Sequence, residues 1–322
     1  MHATSSTRTA ISRPPSAGDL FLDRSFRGLT LAFAWLTILL VLYIIWEVGG
    51  KAAPAMQKYG LGFITSTTWD ANKGQFGVLP EIWGTLYSSI LALGLGGFLG
   101  VTIAIFLTQD FLPPRLEVVF KTIIELLAAI PSVVYGLWGI FVLIPAIRPV
   151  ASFLYTYLGW VPFFGTSLSG PGLLPATLVL TIMILPTISA IARDALSAIP
   201  PKLKEAAFGL GATRWEVIVK VILPTASTGI FGGLVLGFGR ALGETMALAM
   251  LVGNSNQLSL SLFSPANTLA ALLALNFPEA SKPVEQVLMY AALLLLGITL
   301  LVNVCGAAVL QRTTANLSGE RK

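Results

Sequence analysis

Residues Glu205 to Glu244 read EAAFGLGATRWEVIVKVILPTASTGIFGGLVLGFGRALGE, and the chain is organised around this stretch. Its first half carries Glu205-Ala206-Ala207, then Gly211, then Leu223-Pro224. Glu205 and the Ala pair predict a short helix with a narrow flank, Gly211 breaks it in or near a left-handed turn, and Pro224 bends the chain into the membrane. Such an element can sit in a partner's cleft and transmit its movement, although the spacing alone also suits a basic connecting helix between two spans. The second half is glycine-rich and apolar and holds Arg240 and Glu244. At ~100° per residue, Gly229, Gly233, Gly237, Arg240 and Glu244 fall within an arc of roughly 80°, so both charges lie on the close-packing face. A charge at mid-bilayer costs on the order of 3 kcal/mol, and ionisable residues at that depth are usually functional. The alternative is an intrahelical pair, four residues apart, that neutralises itself and only holds helices together.

The rest of the chain is equally apolar. Hydrophobic residues make up 55% and charged residues 11%, against ~25% charged in a soluble domain, and mean hydropathy is +0.81. This composition excludes a soluble globular protein. Apolar runs at 29–48, 84–107, 120–147, 173–192, 229–252 and 286–310 match the ~20 residues of a bilayer-spanning helix. They are continuous rather than alternating, which excludes a β-barrel. The reading is an all-α integral membrane protein with six transmembrane helices. With the N-terminus inside, 14 Lys and Arg fall on the cytoplasmic side against 5 outside, Arg240 being left in the membrane, so both termini are expected in the cytoplasm. These basic residues are dispersed, which argues against nucleic acid as a partner.

Residues 1–28, rich in Ser, Thr, Arg and Pro, read as a disordered cytoplasmic tail. The run that follows is an uncleaved anchor, because its polar leader is long and Glu47 precedes the small-residue phrase Ala53-Pro54-Ala55. In the second run Gly96 and Gly100 are four apart and permit close helix approach. The third holds Glu125 and, at Pro131, loses a backbone donor that Ser132 and Tyr135 are placed to replace. An aromatic stretch, 153–164, and a polar one, 254–283, read as external, the latter with a short helix near 269–275 capped by Asn267 or Thr268. One cysteine, Cys305, and one histidine, His2, offer no disulfide or metal cluster, and no P-loop is present.

Glu205-Ala206-Ala207, Gly211 and Leu223-Pro224 resemble the cytoplasmic EAA signature of permeases in bacterial ABC importers, with Val221 where that pattern usually has Ile. Two further phrases, Ile124 to Ser132 with Tyr135-Gly136 and Trp138-Gly139, and Leu236 to Ala247, are similar to PstC-type permeases of phosphate-specific ABC importers. The resemblance covers roughly 79–310 and implies a type I importer permease (MetI-like) core over 79–312, including a coupling loop at about 198–224. Residues 29–78 would then hold the first helix and an external loop, and 313–322 a cytoplasmic tail. It implies a bacterial inner-membrane location, no cofactor, no metal, and no catalytic residue in this chain. The implied partners are a second homologous permease, a cytoplasmic ATPase dimer and an extracytoplasmic phosphate-binding protein. Glu205, Ala206, Ala207, Gly211, Leu223 and Pro224 would couple to the ATPase, and Arg240, Glu244, Glu125 and Ser132 would line the substrate path. A sister phosphate permease, a permease for sulfate or molybdate, and, in a different class, a gradient-driven carrier or channel are the alternatives.

Overall fold

The computed structural model describes residues 17–319. The described residues form helices α1 (Ala17–Tyr59), α2 (Leu79–Thr108), α3 (Pro114–Ala129), α4 (Ser132–Leu158), α5 (Leu173–Ser197), α6 (Pro201–Gly209), α7 (Arg214–Leu242), α8 (Met246–Leu251), α9 (Leu269–Asn276) and α10 (Lys282–Gly319). Six of them, α1, α2, α4, α5, α7 and α10, are long and apolar enough to cross a membrane. The chain divides into two units, one ending at Gly50 and one beginning at Lys51. In the first, α1 buries none of its most apolar window, so that surface suits lipid. Of the expected tail, 1–28, residues 1–16 lie outside the described ones, whereas 17–28 are turns of α1. At the other end α10 continues through the first residues of the expected tail 313–322, and 320–322 lie outside the described residues.

In the second unit α5 is central, with 61% of its most apolar window buried. Lipid tails give apolar helices no reason to associate, so close approach through small residues decides the packing. On α2, a methyl group added at Gly96 would lie 2.9 Å from Ile184 of α5, and one at Gly100 would lie 3.0 Å from Ile188. The two numbers rise together, so α2 and α5 run parallel. Gly229, Gly233 and Gly237 of α7 meet Ala195, Ile191 and Ile188 in turn, so α7 runs antiparallel to α5. On its other side α7 meets α10, with Gly239 against Asn303 and Gly306 against Val235.

Two expected spans, 120–147 and 229–252, are broken, and the helix that leads into the second starts well before it. The run 120–147 is not one helix: Ile130 is extended (φ −70°, ψ 126°), and α3 ends before Pro131 while α4 begins after it. A residue preceding proline is driven out of the helical region, and Pro131 has no N–H to continue the ladder. Helix α4 instead continues past Arg148, whose Nη2 donates to the Ser169 carbonyl at 3.2 Å. Consequently 153–158, expected in an external loop, is helical, and only Pro162–Phe164 of that stretch forms a separate short turn. The run 229–252 breaks at 243–245 between α7 and α8. At the start of α7 the helix runs unbroken from loop to span through Pro224. A π-helical turn over Ile218–Ile222 precedes the proline, and the helix continues beyond it; a π turn followed by a proline is where a helix changes direction without ending.

The ends of α2 and α10 that begin these helices carry a small cap. A two-residue hairpin pairs Trp69 with Phe76 and Asp70 with Gln75. The Lys73 and Asn72 amides donate to the Asp70 carboxylate, and the Lys73 amide leads the interactions that hold its pKa below the ordinary carboxylate value. Phe63 stacks on Tyr290, ring centroids 4.6 Å apart. Helix α9 is capped by the Thr268 hydroxyl, which accepts from Ala271 N at 3.2 Å. It is not a surface helix, because Leu269 to Leu272 are all buried.

Candidate functional site

Arg240 continues the glycine face of α7 toward α5. Its Nη1 lies 3.5 Å from the Thr187 hydroxyl, a long hydrogen bond. Thr187 follows Pro186 inside α5, as Ser132 follows Pro131. Glu244 does not share that face. Helix α7 ends at Leu242, and Glu244 turns its Oε1 to accept from Ala247 N at 3.2 Å, capping α8. No ion pair joins Arg240 and Glu244 among the described residues, so the helical-wheel argument for an i,i+4 pair fails here. The physical reason is local: the first turn of α8 offers free N–H donors, and a carboxylate satisfies one of them.

The break at Pro131 is repaired by a side chain. Leu127 would ordinarily accept from the nitrogen four residues on, which is Pro131. The Tyr135 hydroxyl donates to that Leu127 carbonyl instead, at 2.8 Å. Ser132, the other expected replacement, begins α4. Gly136 and Gly139 then let α4 lie against Met250 and Leu251 of α8. A Tyr135→Phe variant, which loses only the hydroxyl, is expected to cost about 1–2 kcal/mol by stranding that carbonyl in an apolar setting. The check is a lower apparent Tm in detergent; an unchanged Tm would mean that another donor reaches Leu127.

Glu125 sits on α3 and pairs with Arg193 of α5 at 3.5 Å, and Arg193 also reaches Asp194 at 3.6 Å. Between α3 and α5 lies a cavity of about 220 Å³ whose lining includes Lys121, Glu125, Pro186, Thr187, Ser189 and Arg193. Thr187 therefore connects Arg240 to the cavity that holds Glu125. Ser132 and Glu244 are not in its lining.

The candidate coupling loop has the expected build. Helix α6 carries Glu205 and Ala206 exposed and Ala207 half-buried against the Val217 and Ile218 cluster. Gly211 has φ +84°, the left-handed region that glycine tolerates and other residues resist. Thr213 and Glu216 then form a capping box for α7. Phe208, Leu210 and Trp215 are exposed, Leu210 at 89%, an apolar tip suited to a partner's cleft. Leu223 and Pro224 lie within α7, where Leu223 packs on the same cluster as Ala207. Arg214 joins this loop to the turn between α2 and α3: its Nη2 donates to the Asp110 carbonyl at 3.2 Å, and its guanidinium lies 4.9 Å from the Phe111 ring centroid.

Sequence reasoning passed over Thr187, although a hydroxyl following a mid-span proline is the same signal that Pro131-Ser132 gave. Arg193-Asp194 reads in sequence as an edge marker, and its partner Glu125 comes from a distant helix. Glu81, at the start of α2, is fully buried, and neither carboxylate oxygen finds a partner among the described residues. Two stretches expected to be external are stitched together: Leu262 N donates to the Phe163 carbonyl at 2.9 Å, and the Thr166 and Ser261 hydroxyls lie 2.7 Å apart.

Comparison with known proteins fits this geometry. The family described as binding-protein-dependent transport system inner membrane component matches residues 96–314. A phosphate transport system permease protein PstC of Xylella fastidiosa is 41% identical over 292 residues, covering 88% of this chain and 87% of its own. The protein of that name from Haemophilus influenzae is also 41% identical, over 88% of this chain and 91% of its own. Among solved structures, a bacterial alginate ABC transporter bound to its periplasmic protein aligns with a TM-score of 0.63 at 19% identity, over 92% of this chain and 98% of that one. The methionine transporter MetNI, in an inward-facing form, aligns at 0.55 and 20% identity, over 73% and 95%. At such identities the structures speak to the fold, which is that of the type I importer permeases.

Proposed function

Since this chain belongs to the family of binding-protein-dependent transport system inner membrane components, we propose that it is the permease subunit of an ATP-driven ABC importer that moves inorganic phosphate across the membrane. The observation that carries the reading is the match to PstC permeases at 41% identity along most of both chains. The division of labour follows from chemistry. The sequence has no P-loop, so ATP hydrolysis falls to a cytoplasmic ATPase dimer, and this subunit is not itself the enzyme. The exposed tip of Phe208, Leu210 and Trp215, with the Glu205–Gly211 turn behind it, is the part that seats on the ATPase. A second, homologous permease completes the path. On the opposite side, the stitched loops around Phe163 and Ser261 receive an extracytoplasmic phosphate-binding protein. Both termini then lie in the cytoplasm of a bacterial cell, in keeping with the 14 to 5 distribution of basic residues.

In the path, Arg240 presents a fork of donors that matches a tetrahedral oxyanion and offsets the cost of taking phosphate out of water. Phosphate near neutral pH retains a P–OH proton, whereas sulfate has none. Glu244, with one oxygen on the Ala247 amide, keeps its other oxygen available to accept that proton. A substrate test follows: in ATP-loaded vesicles carrying the whole complex, unlabelled phosphate should compete out labelled phosphate, and equal sulfate or molybdate should not. Competition by sulfate as strong as by phosphate would reassign the cargo.

The orientation has its own test. Ser261 is buried at 4% exposure, so the place for a reporter cysteine is exposed Gln257 on the same loop. In a Cys305→Ser background, Gln257→Cys should react with a membrane-impermeant maleimide added outside intact cells. Labelling only after the cytoplasmic side is opened would reverse the topology.

A further inference from the structure

We propose that the cavity between α3 and α5 is a second, transient phosphate site, centred on Lys121 and entered from Arg240 past Thr187. The proposal rests on phosphate being the cargo. The two cations around the cavity are unequally paired. Arg193 is offset by two carboxylates, Glu125 at 3.5 Å and Asp194 at 3.6 Å. Lys121 faces the same cavity, yet it makes no ion pair among the described residues. It stands four residues before Glu125 on one face of α3. The lining therefore carries two cations, Lys121 and Arg193, against one carboxylate, Glu125, beside the Thr187 hydroxyl, in a space of about 220 Å³; Asp194, outside the lining, balances the second cation through Arg193. Thr187 is shared, because its hydroxyl meets Arg240 as its residue lines the cavity. An anion released by Arg240 thus has the Lys121 cation ahead of it, past the Thr187 hydroxyl, one step closer to the end of α5 that leads into the coupling loop.

The design also explains why the anion would leave. Lys121 is a point charge without the fixed fork of arginine, and it holds an oxyanion less selectively. Glu125 occupies Arg193 when the cavity is empty and competes with phosphate for it when the cavity is filled. Conduction needs sites that attract an ion without trapping it, and a site whose second cation is already claimed meets that condition.

The shared chemistry, a phosphate oxyanion, could also come from a lipid headgroup, since α3 is exposed along its length. The inference commits to free phosphate. The test uses the complete complex in ATP-loaded proteoliposomes, with uptake of labelled phosphate measured while unlabelled phosphate is preloaded on the ATP side. In the wild type, preloaded phosphate should slow uptake by occupying the cavity. Lys121→Gln should raise the half-inhibiting concentration roughly tenfold, the loss of one charge-assisted contact, and Lys121→Arg should keep it near the wild-type value. Glu125→Gln leaves Arg193 with Asp194 alone and removes the carboxylate from the cavity lining, and should shift the same quantity in the opposite direction, a reversal that a purely structural role for α3 would not produce. Wild-type uptake without preloading reports on the cargo assignment separately: if it is absent, that assignment falls and takes the site with it. If uptake is normal but preloaded phosphate has no effect, or Lys121→Gln and Glu125→Gln both behave as wild type, the site alone is overturned. Repeating the assay with and without phosphatidylglycerol decides the source. Inhibition that disappears when the anionic lipid is present, and a Lys121→Gln variant indifferent to that lipid, would assign the cavity to a headgroup and overturn the proposal.

Discussion

Arg240→Gln is expected to abolish phosphate uptake while the complex still assembles. Glutamine is shorter but still polar, and the glycines at 229, 233 and 237 through which α7 packs on α5 are untouched, so that packing is retained. What is lost is the charge. Two charge-assisted donors on an oxyanion contribute about 3 kcal/mol, and removing them slows passage by roughly a hundredfold. The measurement is ATP-dependent uptake normalised to assembled complex. Glu244→Gln should have a smaller and different effect. A carboxamide still accepts from Ala247 N and keeps α8 capped, but it is a poorer acceptor for the P–OH proton. Phosphate transport should weaken, and discrimination against sulfate at the permease should relax. Normal phosphate rates in both variants would make the two residues structural and move the path elsewhere.

Gly211→Val is expected to separate ATP hydrolysis from transport. At φ +84° a β-branched residue is strained by about 1–3 kcal/mol, enough to remodel the turn that follows α6. The ATPase would still hydrolyse ATP, since its own catalytic parts are untouched. The stroke would no longer reach α7 through the continuous helix from Arg214 to Leu242, nor the α2–α3 turn through Arg214 and Asp110. The phosphate moved per ATP hydrolysed should fall at least roughly tenfold, and Gly211→Ala, with less bulk in the same strained region, should fall between. An unchanged ratio in the Val variant would remove the loop from the coupling route.

The membrane fold was legible because the bilayer imposes it. Only long apolar helices satisfy their backbones there, and the composition announces them. The helix-glycine design at Glu205 to Gly211 was legible for a similar reason, since Gly211 has one conformational task. What failed to read were choices between equivalent local options. Gly243 looks like Gly229, Gly233 and Gly237, and the helix ends there because Glu244 caps α8 instead of facing Arg240, a preference set by a neighbour in sequence that no periodicity shows. Pro131 announced a break but not which side would continue as the span, because both flanks are apolar. Arg148 inside α4 is tolerated by reaching the Ser169 carbonyl, a contact from the helix to a distant loop. The pairing of Glu125 with Arg193 and the cavity beside Lys121 come from the crossing of α3 and α5. They exist only once the helices have packed.

The central claim, that this subunit passes phosphate under the control of ATP, is tested most directly by labelled phosphate uptake into vesicles that carry the complete complex. The membrane potential and pH gradient are collapsed with ionophores, and ATP is trapped on the side of the coupling loop. Accumulation against a phosphate gradient that requires ATP and persists without ion gradients is the expected result. Uptake that ignores ATP and vanishes with the gradients would contradict it and mark the chain as a gradient-driven carrier.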